Sequence, residues 1–302
     1  MNRFRFLLPP AAILVCVSLL VHTTSGQDNE LDQKNAPNKT RAQAEAVDAQ
    51  DKLPSANDIV DRYIQKLGGY EMLESRQNTH SIFSGTVTNG ESFVFESYQA
   101  HGKFYSQFSY ESGLIRERNV RTDGSLNKDG VRAGIAWHKV NGTIRVMEGA
   151  ELQEYIRRRT FVCSTTRLLD GYKNIECQSI EEVNGEPTYK VHLVDHDGTV
   201  IDLYFSIDTG LLMRRVAVEE FDNQKQLVTR DRFNWEKLGD TMIARDRTVS
   251  WPGNQFKYKL ETFEIDIRTP KEIFETPKIV LEMQKEKVVA DRPADDPLRH
   301  KP

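Results

Sequence analysis

Three apolar runs between Thr188 and Val218 alternate with two tight-turn signals, Asp197-Gly198 and Thr209-Gly210. The runs are rich in β-branched and aromatic residues and have a period of two. An Asp-Gly pair favours a two-residue hairpin, because such a turn needs a positive φ that glycine adopts without strain. The pattern therefore predicts a meander of long antiparallel strands with one covered face.

The same alternation fills most of the chain. It predicts six strands from Ser81 to Glu148 and seven from Asn174 to Ile267, with turn signals such as Asn89-Gly90 and Asn141-Gly142 between them. A chain of hairpins gives an antiparallel sheet, and a sheet of this width must curl or close. We expect an α+β fold that is mostly β.

Two segments outside the strands have helical periodicity. The first presents an apolar stripe from Ile59 to Leu67, follows a capping signal at Ser55 and stops at Gly68-Gly69. The second runs from Glu148 to Arg159. Because the sheet is the only large apolar partner in the sequence, we expect the first helix to pack against it.

Three consecutive arginines, Arg157, Arg158 and Arg159, end the second helix. Cations suit the carboxyl end of a helix, where the helix dipole is negative. We interpret the run as a solvated helix end, since charge runs usually lie in solvent. Contact with a phosphate group is the alternative.

The two ends of the chain differ from its middle. Residues 1–26 combine Arg3 and Arg5 with an apolar run and small residues before Gln27, which predicts a secretory signal peptide. The apolar run is short for a membrane span, so no transmembrane segment is expected after cleavage. We predict a flexible polar linker over 27–54, one folded domain over 55–278 and a disordered charged tail over 279–302, in a secreted or periplasmic protein.

Charge and cysteine content narrow the chemistry. The net charge of −4 gives no electrostatic reason to expect a nucleic acid partner. After signal cleavage, Cys163 and Cys177 remain as an even pair, which can form a disulfide in an oxidising compartment. Two buried free thiols are the alternative.

Motifs for catalysis or metal binding are not found. The sequence has no glycine-rich phosphate loop, no Gly-x-Ser-x-Gly and no His-Glu-x-x-His. His192 and His196 flank Asp195, but in a strand they lie ~13 Å apart, and an ordinary polar turn is the favoured interpretation. We predict no catalytic residue, no metal and no cofactor; a hydrolase assembled from scattered His and acidic residues has the least support.

The aromatic residues on the predicted strands are the candidate ligand-binding residues. A curved sheet closed on one side by a helix leaves an apolar concavity, which is the usual shape of a lipid or small-molecule pocket. A core filled by these same side chains remains an equal alternative. The candidates are Phe93, Phe95, Phe104, Phe108 and Trp137.

Several segments in chain order resemble bacterial outer-membrane lipoprotein-sorting proteins, the LolA/LolB-like group. They are the helix that starts at Ile59, Ser84-Gly85-Thr86 on a strand, Ala136-Trp137, the turn that follows Phe205, and Phe263–Ile267. The resemblance covers about residues 55–278. It implies an incomplete antiparallel β-barrel covered by helices, with a hollow that takes lipoprotein acyl chains. No binding residue of the group matches a position here, and Cys16 follows Leu14-Val15 and so lacks a lipidation signal.

Taken together, the residues and the resemblance predict a secreted or periplasmic non-enzymatic binding protein. Its ligand would be a lipid, a lipoprotein acyl chain or another apolar molecule. The alternative is a structural or protein-interaction module of the cell envelope with a filled core, which would bind an envelope protein instead.

Overall fold

The computed structural model describes residues 53–75, 78–100, 102–122, 132–163, 169, 172–221 and 224–290. Side chains at 74–75, 160–163, 220–221 and 286–290 are outside this description. The predicted signal peptide and most of the predicted linker also lie outside it. Among the described helices, none is long and apolar enough to cross a membrane.

The described strands form one antiparallel sheet of thirteen, the number that the sequence pattern predicts. The strands are β1 (Asn78–Val87), β2 (Ser92–Ala100), β3 (Lys103–Tyr110), β4 (Ile115–Arg121), β5 (Ile135–Val140), β6 (Thr143–Val146), β7 (Tyr172–Val183), β8 (Glu186–Asp195), β9 (Val200–Ser206), β10 (Leu212–Phe221), β11 (Gln224–Leu238), β12 (Thr241–Trp251) and β13 (Asn254–Ile265). Their order is β6-β5-β4-β3-β2-β1-β13-β12-β11-β10-β9-β8-β7. Consecutive strands pair as hairpins, except β6 and β7, which form the two edges of the sheet. The pairing of β1 with β13 joins the two halves. The sheet is not closed into a barrel, which confirms the predicted curved, incomplete β architecture.

The described helices are α1 (Ala56–Lys66), α2 (Tyr70–Ser75), α3 (Gly149–Cys163), a 3-10 helix (Lys271–Phe274) and α4 (Lys278–Ala290). The cap of α1 is the predicted one. The Ser55 hydroxyl accepts a hydrogen bond from the Asp58 N–H at 3.1 Å and donates one to the Asp58 carboxylate at 2.7 Å. A capping side chain of this kind stabilises a helix by about 1 kcal/mol.

Helix α1 lays its apolar stripe on the second half of the sheet, as the sequence predicts. Tyr63 and Ile64 pack in one cluster with inward-facing side chains of β8, β9 and β10. The Tyr63 ring lies 5.4 Å from the ring of Phe205, between ring centroids. Ile64 is 1% exposed, and full burial of such a side chain contributes about 1.5–3 kcal/mol.

Helix α3 shows that the sheet is strongly curved. Ile156 packs in a cluster with apolar side chains of β3, β4 and β5. Two residues later, the Arg158 guanidinium bonds the Glu219 carboxylate on β10 at 3.0 Å. In the strand order β4 is third and β10 is tenth, which in a flat sheet would separate them by about 34 Å. Contact with both from neighbouring positions of one helix requires the sheet to fold back around α3.

Helix α4 corrects the prediction of a disordered tail that begins at residue 279. The helix extends to Ala290, and only residues 291–302 of the predicted tail lie outside the described residues. Val280 is fully buried, and α4 contacts β6. The many charged residues of this segment indicated disorder, but one well-placed apolar residue and the Lys278–Glu282 pair one turn apart suit a short docked helix.

Gly85 on β1 lets an aromatic ring approach the backbone closely. A Cβ atom at this position would lie 2.3 Å from Cζ of Phe93 and 2.3 Å from the carbonyl oxygen of Lys257. The first contact involves a large ring in a packed cluster, and the second involves backbone of the paired strand β13. Neither atom can move without disturbing the junction between the two halves of the sheet.

We therefore expect Gly85→Ala to lower the free energy of unfolding by about 1–3 kcal/mol, the usual cost of overpacking. Thermal and urea unfolding followed by circular dichroism would measure it. Thr86→Ala, at the exposed neighbouring position, is the matched control and should change stability by less than about 1 kcal/mol. Equal stability of the two variants would contradict this account of the junction.

Candidate functional site

The register of the strands defines which side chains share the concave face. Residues directly opposite each other in an antiparallel pair point to the same side of the sheet. One such row crosses six neighbouring strands and consists of Arg232, Arg247, Tyr258, Gly85, Phe93 and Tyr110. On β3, Phe104 and Phe108 alternate in step with Tyr110, and Phe104 packs under α3. This row therefore faces the helices, and we call the space between the concave face and helices α1 and α3 the hollow.

One wall of the hollow is a continuous group of aromatic rings, here called the aromatic cluster. Neighbouring ring centroids lie 4.6 to 6.3 Å apart, in mostly tilted or edge-to-face arrangements. Such pairs contribute about 0.5–1.5 kcal/mol each beyond the area that they bury. Several rings stay partly exposed although they lie on the concave face. The members are Phe83, Phe93, Phe95, Phe108, Tyr110, Phe256 and Tyr258.

The structure brings together four of the five candidate residues. Phe93, Phe95 and Phe108 belong to the aromatic cluster, and Phe104 lies on the same face in the core under α3. Trp137 does not join them. Its neighbour Ala136 belongs to that core, so Trp137 points to the opposite, outer face of the sheet. The sequence could not show this, because the pairing of β5 with β4 decides which side chains of β5 face the helices.

Arginines form the rest of the hollow, and the sequence pattern singled out only Arg158 and Arg159 among them, as part of the run in α3. Arg158 and Arg159 project from α3. The others have the parity of the concave face on β4, β10, β11 and β12. The Arg159 guanidinium lies 3.6 Å from the ring centroid of Phe104, and that of Arg247 lies 4.5 Å from the ring centroid of Phe83. The set on the sheet is Arg118, Arg215, Arg230, Arg232 and Arg247.

The interpretation of the arginine run as a solvated helix end is wrong. Arg157 is 3% exposed, and the Arg158 side chain is 14% exposed. Helix α3 continues to Cys163, so the run lies inside the helix and faces the hollow. The apolar residues Tyr155 and Ile156 directly precede the arginines on the same helix and pack inward. Their position was the signal that could have indicated burial of the run.

A buried glutamate joins three of these arginines. Glu219 is 1% exposed and accepts hydrogen bonds from Arg215 at 2.6 Å, Arg230 at 2.6 Å and Arg158 at 3.0 Å. Burial alone would raise the pKa of Glu219, but the three guanidinium groups outweigh it and hold that pKa below the ordinary value. The carboxylate is therefore charged at neutral pH and ties α3 to β10 and β11.

A second ionic cluster ties α3 to the turn between β8 and β9. Arg157 bonds Asp195, Asp197 and Glu154, and Arg132 lies 3.3 Å from Asp195 between the Nη2 and Oδ2 atoms. Burial raises the pKa of Asp197, but hydrogen bonds from Thr199 and the charge of Arg157 together lower it. Asp195 and Asp197, which flank the turn where a metal site was the alternative interpretation, thus bind Arg157.

His192, one of the two histidines near this turn, pairs with a carboxylate on β9. The His192 Nδ1 atom lies 2.7 Å from an Asp202 carboxylate oxygen. Within the described ranges, no group of three or more His, Cys, Asp or Glu side chains is placed to hold a metal ion.

Burial also lowers the pKa values of four arginines of the hollow. The pKa of Arg247 is lowered to about 10, first by burial and then by the neighbouring Arg232. Burial likewise lowers the pKa of Arg230 to about 10, with Arg158 and Arg215 adding to the effect and Glu219 opposing it. The pKa values of Arg118 and Arg232 are lowered for the same first reason. All remain protonated at neutral pH, because a guanidinium does not lose its proton in this range.

The predicted disulfide stays a prediction. The half-buried Cys177 on β7 has no disulfide partner among the described side chains, and burial raises the pKa of its thiol. The side chain of Cys163, at the end of α3, lies outside the described residues.

A separate groove of about 760 Å³ lies at the junction of β1 with β13 and extends over β2, β3 and β12. Most of its lining side chains, including Ser84, Thr86 and Val94, alternate with the residues of the aromatic cluster. Ten of the fifteen lining residues therefore lie on the outer face of the sheet, and the other five, among them Phe93 and Arg247, belong to the row on the concave face.

No family model matches the chain, and no curated protein matches it either. Among solved structures it is similar to a DUF1329 family protein from Desulfovibrio piger, at 14% sequence identity and a TM-score of 0.52, over 73% of this chain and 97% of that chain. An outer membrane lipoprotein-sorting protein domain from Vibrio parahaemolyticus has 8% identity and a TM-score of 0.47, over 72% of this chain and 95% of that chain. A LolA superfamily protein from Nitrosomonas europaea has 9% identity and a TM-score of 0.47, over 74% and 99%. The likeness to the DUF1329 family protein shows a shared fold, an open antiparallel sheet with helices on one face.

Loss of the Glu219 charge should weaken the fold. We expect Glu219→Gln to lower the free energy of unfolding at pH 7 by about 3–5 kcal/mol, because it leaves buried arginines without their partner. Since the folded-state pKa lies below the ordinary 4.5, the contribution is complete above pH 4.5 and is lost as pH falls below it. Urea unfolding at pH 7 and in steps below pH 4.5 would measure both effects.

The matched control is Glu236→Gln, which removes an exposed pair with Arg245 and should cost less than about 1 kcal/mol. A Glu219→Gln variant as stable as the native protein at pH 7 would contradict the structural role of the buried network.

Proposed function

We propose that this chain is a non-enzymatic binding protein of the cell envelope that holds a lipid, a lipoprotein acyl chain or another apolar ligand in the hollow. The observation that carries the proposal is the aromatic cluster. Phe95, Phe108 and Phe256 stay partly exposed on the concave face, and Phe95 packs against the apolar cluster under α3. Large aromatic rings that line a concave face and are only partly covered are typical of the wall of an apolar binding site.

The energetics suit an acyl chain. Each CH₂ group removed from water contributes about 0.8 kcal/mol, and rings that are already ordered lose little further side-chain entropy on binding. The sheet holds the cluster from β13 across to β3, so the wall is extended. α1 and α3 lie over the same face and supply the elements that would move to admit a ligand.

The amino-terminal sequence supports placement in the envelope. The signal-peptide pattern over 1–26 predicts export, and the resemblance to lipoprotein-sorting proteins implies a soluble carrier. We therefore propose a secreted or periplasmic location.

The second candidate is a structural or protein-interaction module with a filled core. The contact of Arg159 with Phe104 favours it, because at 3.6 Å this pair closes the part of the hollow next to β3. An exposed apolar pair on the outer face, Val218 at 44% and Leu227 at 56% exposed, would then offer a surface to an envelope protein. This candidate predicts no uptake of apolar molecules.

Uptake of a neutral apolar probe distinguishes the two. We expect N-phenyl-1-naphthylamine to bind the purified protein with enhanced fluorescence, and native mass spectrometry to show a co-purified lipid that organic extraction removes. A protein of bare mass that leaves the probe dark would favour the interaction module.

Alanine substitutions in the aromatic cluster test whether the probe binds in the hollow. Phe108→Ala and Phe256→Ala should each weaken probe binding roughly tenfold, through the loss of about 1–2 kcal/mol of apolar contact. Val94→Ala, at a position 48% exposed on the outer face of β2, is the control and should bind as the native protein does. Unchanged binding in all three would place the probe outside the hollow and contradict the proposal.

A further inference from the structure

Four arginines of the hollow form no ion pair within the described part of the chain: Arg118, Arg159, Arg232 and Arg247. Three of them also hold a buried nitrogen without a hydrogen-bond partner there, namely Nε of Arg159, Nη1 of Arg232 and Nε of Arg247. Buried charges are almost always paired, because an unpaired one loses its hydration without compensation. Stacking on Phe104 and Phe83 occupies the faces of two guanidinium groups and leaves their N–H edges free to donate.

The molecule contains its own comparison for this arrangement. Arg215 and Arg230 lie directly opposite each other on β10 and β11, where like charges repel. Glu219 resolves that repulsion by accepting a hydrogen bond from each at 2.6 Å. An anion between two facing arginines is thus an arrangement that this sheet already uses.

Arg232 and Arg247 repeat the arrangement one strand further along. They lie directly opposite each other on β11 and β12, on the same concave face. No described carboxylate lies between them in the manner of Glu219. Burial raises the pKa of Tyr63 on α1, and the charges of Arg232 and Arg247 partly lower it again.

We propose that the ligand of the hollow is an amphiphile with an anionic head group, a carboxylate or a phosphate, which binds between Arg232 and Arg247 while its chain lies along the aromatic cluster. The inference rests on the proposed function and names the class of ligand. The head group takes the place that Glu219 takes at the neighbouring pair.

The position of the aromatic cluster fits such a ligand. In the row that crosses the sheet, Tyr258 stands directly opposite Arg247, and Gly85 and Phe93 follow on the next two strands. Neighbouring strands lie about 4.8 Å apart, so apolar surface begins one strand away from the charged pair. Since Gly85 has no side chain, Phe93 fills the space above it and keeps the wall continuous. A head and a chain are therefore recognised by adjacent parts of one surface.

The test compares ligands that differ only in the head group. Palmitate, hexadecyl phosphate and the neutral methyl palmitate would be titrated below their aggregation concentrations by displacement of N-phenyl-1-naphthylamine, with inorganic phosphate as the chain-free anion. In the native protein we expect both anions with chains to bind on the order of 10- to 100-fold more tightly than methyl palmitate, the factor expected for charge-assisted hydrogen bonds. Inorganic phosphate should displace nothing.

Arg232→Gln and Arg247→Gln should remove that advantage and leave methyl palmitate binding unchanged. The ligand-free variants should also melt at the same temperature as the native protein or higher, because each relieves a repulsion between buried like charges. The control is Arg214→Gln, which alters an arginine on the outer face paired with Asp231 at 2.6 Å and should not affect any ligand.

Each alternative outcome has a distinct meaning. Equal binding of palmitate and methyl palmitate by the native protein would overturn the anionic head group and leave the proposed function intact. Binding of inorganic phosphate as tight as that of hexadecyl phosphate, measured by isothermal titration calorimetry, would show a site for a free anion and overturn the amphiphile. Failure of all three chain-bearing ligands and of the probe would overturn both proposals. Because these comparisons use the native protein, they decide the question even where a variant does not fold.

Discussion

Helix α3 joins the two halves of an open sheet, and the hollow depends on that contact. On one side, Tyr155 and Ile156 pack on β3, β4 and β5. On the other side, Arg158 reaches Glu219 on β10, and Arg157 binds Asp195 at the end of β8. A sheet with two edges has no hydrogen-bonded closure to fix its curvature. The side-chain contacts of α3 therefore hold the aromatic wall and the arginine wall at a fixed separation.

The same contacts explain where charge lies in the molecule. The chain as a whole is slightly acidic, yet its concave face gathers arginines. Those that hold α3 are neutralised by Glu154 and Glu219, so they serve the fold. Arg232 and Arg247 share the burial but have no such partner, and they oppose stability. Groups that break a local rule of folding without compensation in the chain itself are expected at functional sites. This contrast between two neighbouring arginine pairs connects the architecture with recognition.

Local sequence patterns contained most of the fold. Period-two runs and glycine turns predict the strands and hairpins, and the Ser55 cap with its apolar stripe predicts α1, because these signals act between residues close in the chain. Long-range pairing is different: β1 meets β13 through a register that no short pattern contains. Since faces follow from register, the sequence could not separate Trp137 from Phe104 or show that Arg230 and Arg232 point inward. Charged residues led to two wrong predictions, a solvated helix end at Arg157 to Arg159 and a disordered tail at α4. Buried ion pairs and a docked helix have the same composition as segments that lie in solvent.

The central claim is that one concave surface binds a charged head and an apolar chain side by side. A crystal structure of the protein with hexadecyl phosphate tests it most directly. The account predicts the phosphate between the guanidinium groups of Arg232 and Arg247, within hydrogen-bond distance of both, and the chain in contact with Phe93 and Tyr258. A structure in which the molecule occupies the outer groove beside Thr86, with the hollow closed by its own side chains, would contradict the claim.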